Sequence, residues 1–324
     1  MLRVAVAAGL TLVMLRKSDP AEVWRVSIGA RLPDLAIAVA LVLVDRALMA
    51  YRWLVLLRPL ASAAHVTFWP VMRIFFVSTF VGTFLPASVG GDAVRAYALA
   101  RHDVPGAAAV ASVFMDRMLG VLSVLLLGVA GLLFARDLAT HPAVAAALIA
   151  ALATCVVTAF VVFSQRATDF ASRLLRLSPS RTVERMGNSI VAAVRSYARS
   201  HAELINVLAG SVGVQILRIV QAYFLGRALG IEASLATYFA FVPAILLVML
   251  LPVTVNGLGT SQWAFVTLFA RVGVPKPASF ALSVLFVALG IVGNLPGAFL
   301  YVKGGVKQKA GQVPSQTPPT LGGI

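Results

Sequence analysis

The chain has 324 residues, of which 60% are hydrophobic and only 12% charged, with a formal net charge of +15. So little polar surface cannot coat a water-soluble globule of this size, which excludes an ordinary soluble domain and predicts an all-α, polytopic membrane helix bundle. The positive charge falls in loops beside apolar runs, with no basic face interleaved with aromatics, so it reads as membrane topology and attraction to anionic headgroups and excludes nucleic acid as a partner.

Apolar runs able to cross a hydrocarbon core of about 30 Å lie near residues 33–57, 68–85, 107–135, 143–163, 203–225, 235–251 and 278–302. A shorter run, 2–15, could be a signal peptide. Arg16 and Lys17 follow it directly, and such a pair suits a membrane stop better, so an uncleaved first helix is expected. Cys155, the only cysteine, sits inside a span and excludes an intrachain disulfide or thiolate metal cluster; it reads as packing.

The stretch Ser164–His201 carries seven arginines against Asp169 and Glu184, which makes it cytoplasmic by the positive-inside rule. Val183, Met186, Ile190, Val194 and Tyr197 share one helical face, opposite Arg181, Arg185, Arg195 and Arg199. Such a helix can lie at the headgroup boundary, or it can be a solvated linker. With this loop inside, residues 68–101 have both ends cytoplasmic and must enter, break at Leu85–Gly91 and return as a re-entrant hairpin. Residues 235–271 form the matching hairpin from the external side, and 278–302 return to place Lys303, Lys307 and Lys309 inside. Arg16, Lys17, Arg25 and Arg31 then fall outside, against the rule, offset in part by Asp19, Glu22 and Asp34. The expected organisation is one transmembrane domain, 1–303, whose halves 1–163 and 202–303 flank the basic loop 164–201. A tail at 304–324, rich in Gly, Pro, Gln and Thr, is expected to be disordered.

The two breaks resemble each other. Leu85-Pro86-Ala87-Ser88-Val89-Gly90-Gly91 and Leu251-Pro252-Val253-Thr254-Val255-Asn256-Gly257 share Leu-Pro-x-Ser/Thr-Val-x-Gly, and each is followed by a Val-Pro, at Pro105 and Pro275. The second copy is longer by about one helical turn. This is a weak, pseudo-symmetric and inverted repeat, or a chance likeness of two Pro/Gly-rich turns. Non-helical backbone at membrane depth survives only where protein buries it or water reaches it, so two matched breaks in oppositely oriented halves point to a midplane transport site.

The candidate binding residues cluster at these breaks and in two spans. Gly90 and Gly91 let backbone amides approach a phosphate, with Arg95 one turn on; Asp92 joins that site or only caps the helix. The lysine of a Walker loop is absent, so no nucleotide is expected. Asp116 and Arg117 stand deep in their span, where charge is costly and faces a protein interior. As helical neighbours they point about 100° apart and each needs another partner. Ser112, Asp116, Gly120 and Ser123 form one polar stripe, with Arg95, Arg73 and Arg218 as candidate partners for Asp116; Ser211, Gln215 and Arg218 form a second. A structural salt bridge and a substrate contact both fit. Asn256, Gly257 and Gly259, with Thr260-Ser261-Gln262, offer an uncharged turn that could bond a headgroup or cap a helix. The histidines at 65, 102, 141 and 201 are dispersed, and no catalytic motif is present, so no catalytic residue, metal or cofactor is expected.

Taken jointly, Arg52-Trp53, Leu85-Pro86, Gly90-Gly91-Asp92 with Arg95, Asp116-Arg117 with Gly120, Leu251-Pro252, Asn256-Gly257-x-Gly259 and Gly293-Asn294-Leu295-Pro296-Gly297 resemble the membrane region of lysylphosphatidylglycerol synthases and its stand-alone, flippase-like relatives. The resemblance implies a polytopic lipid-handling protein; the synthase activity does not carry over, because no aminoacyl-transferase domain follows the last span. Relatives often carry an acid after the Gly-x-Gly turn where this chain has Gln262, which puts a shared substrate in doubt. The expected function is movement of a phospholipid or other polar-headgroup lipid, with an anionic headgroup as partner, across a bacterial inner membrane. Two alternatives stay open: an enzyme acting on a lipid or polyprenyl carrier with Asp92 or Asp116 as base, and a non-catalytic membrane subunit. Homo-oligomerisation is likewise left open.

Overall fold

The structure is a computed structural model, describing residues 2–60, 63, 66–84, 90–134, 142–176, 181–250 and 257–309. All regular structure among the described residues is helical. The chain opens with α1 (Leu2–Lys17), α2 (Pro20–Ile28) and α3 (Leu32–Leu57). The Asp19 carboxylate accepts the Ala21 N–H at 3.2 Å and Pro20 takes the first helical position, two devices that start α2. α2 meets α3 at 86°, so the two make at most one bent span.

The centre of the bundle is α3 packed antiparallel on α10 (His201–Ala228). Small residues let these helices approach, as they do generally where no hydrophobic effect drives association. Gly210 lies against the Arg52 stem and Gly213 against Leu48, while at the far end the Arg31 N–H donates to the Ala228 carbonyl at 2.8 Å. α6 (Gly106–Phe134) runs beside both: Trp53 Nε1–H donates to Ser112 Oγ at 3.1 Å, and further along Gln215 Nε2 donates to Ser123 Oγ at 3.2 Å. α7 (Pro142–Phe163) packs back along α6.

Two shorter helix pairs enter this frame from opposite ends. In the first, α4 (Phe68–Phe84) and α5 (Gly90–Ala100) are antiparallel: a Cβ on Gly82 would stand 2.8 Å from the Gly91 Cα, and nearer the base the Arg95 guanidinium lies over the Phe75 ring at 5.8 Å. Its base is at the Arg58 end of α3. In the second, α11 (Leu235–Leu250) and α12 (Thr260–Phe269) are antiparallel, since the Phe269 ring packs on Tyr238 at 5.1 Å and Phe241 at 5.5 Å. Its base is at the α2 end. α13 (Lys276–Val292) and α14 (Leu295–Lys309) then run back toward the first pair, where Gly297 rests directly on the Phe76 carbonyl of α4. α14 continues to Lys309, through the Gly304 boundary where the tail was expected to begin.

Gly106–Gly131, His201–Ala228 and Lys276–Lys303 are long and apolar enough to cross a membrane, and α2 with α3 makes a fourth if counted as one. α4, at 17 residues, and α11, at 16, are too short to do so simply: at 1.5 Å per residue each reaches about 25 Å. The Leu85–Val89 and Leu251–Asn256 portions of the expected breaks lie outside the described residues.

The basic segment forms α8 (Gln165–Arg176) and α9 (Arg181–Ser196), which touch where Gly187 meets Leu175. Its apolar face is divided in use. Met186 is exposed, whereas Ile190, Val194 and Tyr197 pack into the core beneath α3, α4 and α6. The end of this segment is thus anchored in protein, which neither a free linker nor a purely headgroup-bound helix would show. Tyr197 donates its hydroxyl to the Leu56 carbonyl at 2.7 Å, and burial pushes the phenol far above its usual range, aided by the Asp116 charge, so it remains a donor. Tyr197→Phe should therefore lower stability by about 1 kcal/mol in a detergent unfolding titration, since it leaves that carbonyl unpaired.

Candidate functional site

A cavity of about 460 Å³ opens where the two short helix pairs face each other. The first contributes Ser78, Thr79, Gly82, Thr83, Gly91 and Asp92; the second contributes Leu246, Met249 and, from the turn just before α12, Leu258. Asp45 and Arg46 come from α3, Arg117 from α6, Arg218 and Gln221 from α10, and Phe286, Gly290 and Asn294 from the last helices and the turn between them. One wall is therefore strongly polar and the other apolar.

Two ion-pair systems build the polar wall. The first alternates in sign from the buried core to the cavity: Arg52 to Asp116 at 2.6 Å, Asp116 to Arg95 at 3.0 Å, Arg95 to Asp92 at 3.6 Å, and Asp92 to Arg117 at 2.5 Å. Arg52, Asp116 and Arg95 are almost wholly buried, Asp92 is partly open and the Arg117 side chain is 50% exposed. The Arg95 guanidinium also lies 4.8 Å over Trp53, which fixes its plane. In the second system Arg46 donates to Asp45 at 2.6 Å, to Asn294 Oδ1 at 3.0 Å and to the Gly290 carbonyl at 3.2 Å. Asn294 in turn donates to Thr83 Oγ1 at 3.0 Å, tying the last helices to the tip of the first pair. Arg218 approaches the same Asp45 at 3.8 Å.

Of the residues expected from sequence, Gly91, Asp92, Arg117 and Arg218 line the cavity. Arg95 and Asp116 stand one layer behind it. Gly90 begins α5 but is not on the wall, and Asn256 lies outside the described residues. Gly257 (φ +73°) packs on Met249, and Gly259 (φ +85°) packs on Ala7 and Leu10 of α1, so Leu258 between them is the member of that turn that reaches the cavity. Gln262 is used locally: its side-chain oxygen accepts from the Gly259 N–H at 2.5 Å and from Ser261 Oγ at 3.0 Å, closing the N-terminus of α12.

Of the three arginines considered for Asp116, only Arg95 pairs with it. Arg73 is exposed. Arg218 meets Asp45 instead, because α10 is antiparallel to α3 with Gly210 level with Arg52, which carries Arg218 about 12 Å farther along, level with Asp45. The second partner of Asp116 is Arg52. Asp45, Arg46 and Gln221 were not among the expected site residues, although Asp45-Arg46 repeats the signal that singles out Asp116-Arg117, two adjacent charges deep in an apolar run.

The model of the family described as Lysylphosphatidylglycerol synthase TM region matches residues 1–297. Comparison with curated proteins and with solved structures found no match.

Proposed function

We propose, from the premise that this chain belongs to the lysylphosphatidylglycerol synthase transmembrane-region family, that it moves a phospholipid or another polar-headgroup lipid between the leaflets of the membrane it spans. The observation that carries this reading is the cavity lined by both short helix pairs, with charged groups on one wall and hydrocarbon on the other. Charge at membrane depth is expensive and usually marks a pathway. An amphipathic ligand matches such a lining, its headgroup against Arg46, Arg117 and Arg218, its chains against Leu246, Met249 and Phe286.

In this reading α4–α5 and α11–α12 are re-entrant hairpins from opposite faces of a bacterial inner membrane, related as an inverted repeat, and the cavity is the midplane site such repeats build. Asp92 and Arg117 face the headgroup, while Asp116 and Arg95 hold those two in position from behind. Movement runs down the lipid gradient or is coupled to an ion gradient.

The test uses the full chain in vesicles with a headgroup-labelled phospholipid. Val287 borders the cavity from α13, and Val287→Trp should fill part of it and slow lipid movement about ten-fold or more while leaving thermal stability near wild type. Vesicles with wild-type protein that exchange lipid no faster than protein-free ones, or a Trp variant as fast as wild type, would overturn the reading. A chemically altered lipid in place of an unchanged one in the other leaflet would replace it with the enzymatic alternative.

A further inference from the structure

One side of the cavity holds a buried carboxamide donor without a partner and a guanidinium whose acceptors are all distant. Resting on the lipid-moving reading above, we propose that Arg218 and Gln221 together seat the phosphodiester of a lipid whose headgroup carries no other net charge.

The three cavity arginines are not equivalent. Arg46 is bonded through Nε, Nη1 and Nη2, and Arg117 is held by Asp92 at 2.5 Å. Arg218 is held by neither kind of bond: its acceptors are Gln215 Oε1 at 3.4 Å, Met49 Sδ at 3.8 Å and the Asp45 carboxylate at 3.8 Å. Good N–H···O bonds fall at about 2.7–3.2 Å, so this guanidinium lacks a close acceptor among the described residues. Gln221 follows three residues later on the same face of α10, is 3% exposed, borders the cavity, and its Nε2 has no hydrogen-bond partner. Buried donors without acceptors are costly, and a planar guanidinium fork beside a carboxamide N–H presents donors that phosphate oxygens accept well.

The charge on the wall selects among phosphates. Around Arg218 two guanidiniums, its own and that of Arg46, share the one carboxylate of Asp45, which leaves one surplus positive charge on that part of the wall. A phosphodiester brings a single negative charge and neutralises it. An amine-bearing headgroup leaves the surplus in place, and a monoester dianion overshoots it. The apolar wall selects a lipid over a free phosphate ester: Ile291 both lines the cavity and is 47% exposed, so hydrocarbon surface continues from Phe286 past Ile291 to the flank of the bundle, a path for acyl chains that a water-soluble phosphate would not use.

The experiment is native mass spectrometry of the full chain offered equimolar dioleoyl phosphatidylglycerol and dioleoyl phosphatidylcholine. Wild type should retain the glycerol lipid over the choline lipid by about ten-fold or more, the scale of one charge-assisted hydrogen-bond set. Arg218→Gln should abolish the preference. Gln221→Leu, which removes a donor to the phosphodiester that both lipids share and keeps the volume, should lower retention of both several-fold and guards against misfolding of the arginine variant. Equal retention of both lipids by wild type, an unchanged preference in Arg218→Gln, or unimpaired retention in Gln221→Leu overturns the proposal; millimolar inorganic phosphate displacing the lipid at matched ionic strength overturns its lipid part and points to a soluble ester. Selection through Arg218 without movement in vesicles supports the site and defeats only the carrier function, whereas movement indifferent to both variants defeats the site alone.

Discussion

Asp116→Ala should destabilise the protein by about 3–5 kcal/mol, the cost of leaving buried charge uncompensated. The carboxylate stands between the buried guanidiniums of Arg52 and Arg95, at 2.6 and 3.0 Å. Its loss leaves two buried cations facing each other in the core between α3, α5 and α6. Asp116→Asn keeps the shape and one acceptor, so it should insert and fold but hold Arg95, and through it Asp92, less firmly; lipid movement should fall more than stability does. Combining Asp116→Leu with Arg52→Met and Arg95→Met removes the buried charges together and should recover much of the lost stability while movement remains impaired. Unfolding titrations of the three variants in detergent check this. An Ala variant as stable as wild type would show that the charges are hydrated in place and that the triad is not a structural unit.

Gly297→Val should separate α14 from α4. A side chain there would run into the Phe76 carbonyl and the Phe80 Cβ, and a backbone carbonyl cannot swing aside as a flexible side-chain end can. Overpacking of this kind costs about 1–3 kcal/mol or more, and it should also pull Asn294 away from Thr83 and release one of the three bonds holding Arg46. Stability and lipid movement are both expected to fall. Gly128→Ala is the control: its new methyl would meet only the end of the Leu247 side chain and a distant Leu148, which can adjust. Equal thermal stability in both variants would mean that α14 is free to shift and that the Asn294 link is not rigid.

Composition and hydropathy were enough to expect an all-helical membrane bundle, because they depend on how much apolar surface the chain carries and not on where it goes. The pairing of helices was harder. Depth alone marks Asp116 and Arg117 as needing partners, yet it gives no such sign for Arg52, which stands near a helix end, where an arginine ordinarily marks topology. Only the antiparallel register of α3 and α10, set by close approach at Gly210 and Gly213, decides that Asp45 and not Asp116 meets Arg218. The turn at Gly257–Gly259 shows the same limit: its glycines are required by positive φ and by contact with Met249 and α1, so what looked like a ligand-facing loop is largely committed to packing. Gln221 continues the stripe of Ser211, Gln215 and Arg218 by helical spacing, but a glutamine there gains meaning only when its neighbours fail to satisfy it.

The longer arms of the two helix pairs, α4 and α11, fall short of the hydrocarbon thickness, and both line the cavity that holds the polar wall. In the proposed arrangement, with one pair entering from each face, the low-dielectric slab would be at its narrowest where the arginines stand. Because the self-energy of an ion drops as such a slab thins, the fold would ease passage of a headgroup by shortening the insulating distance on both sides without opening a continuous aqueous pore.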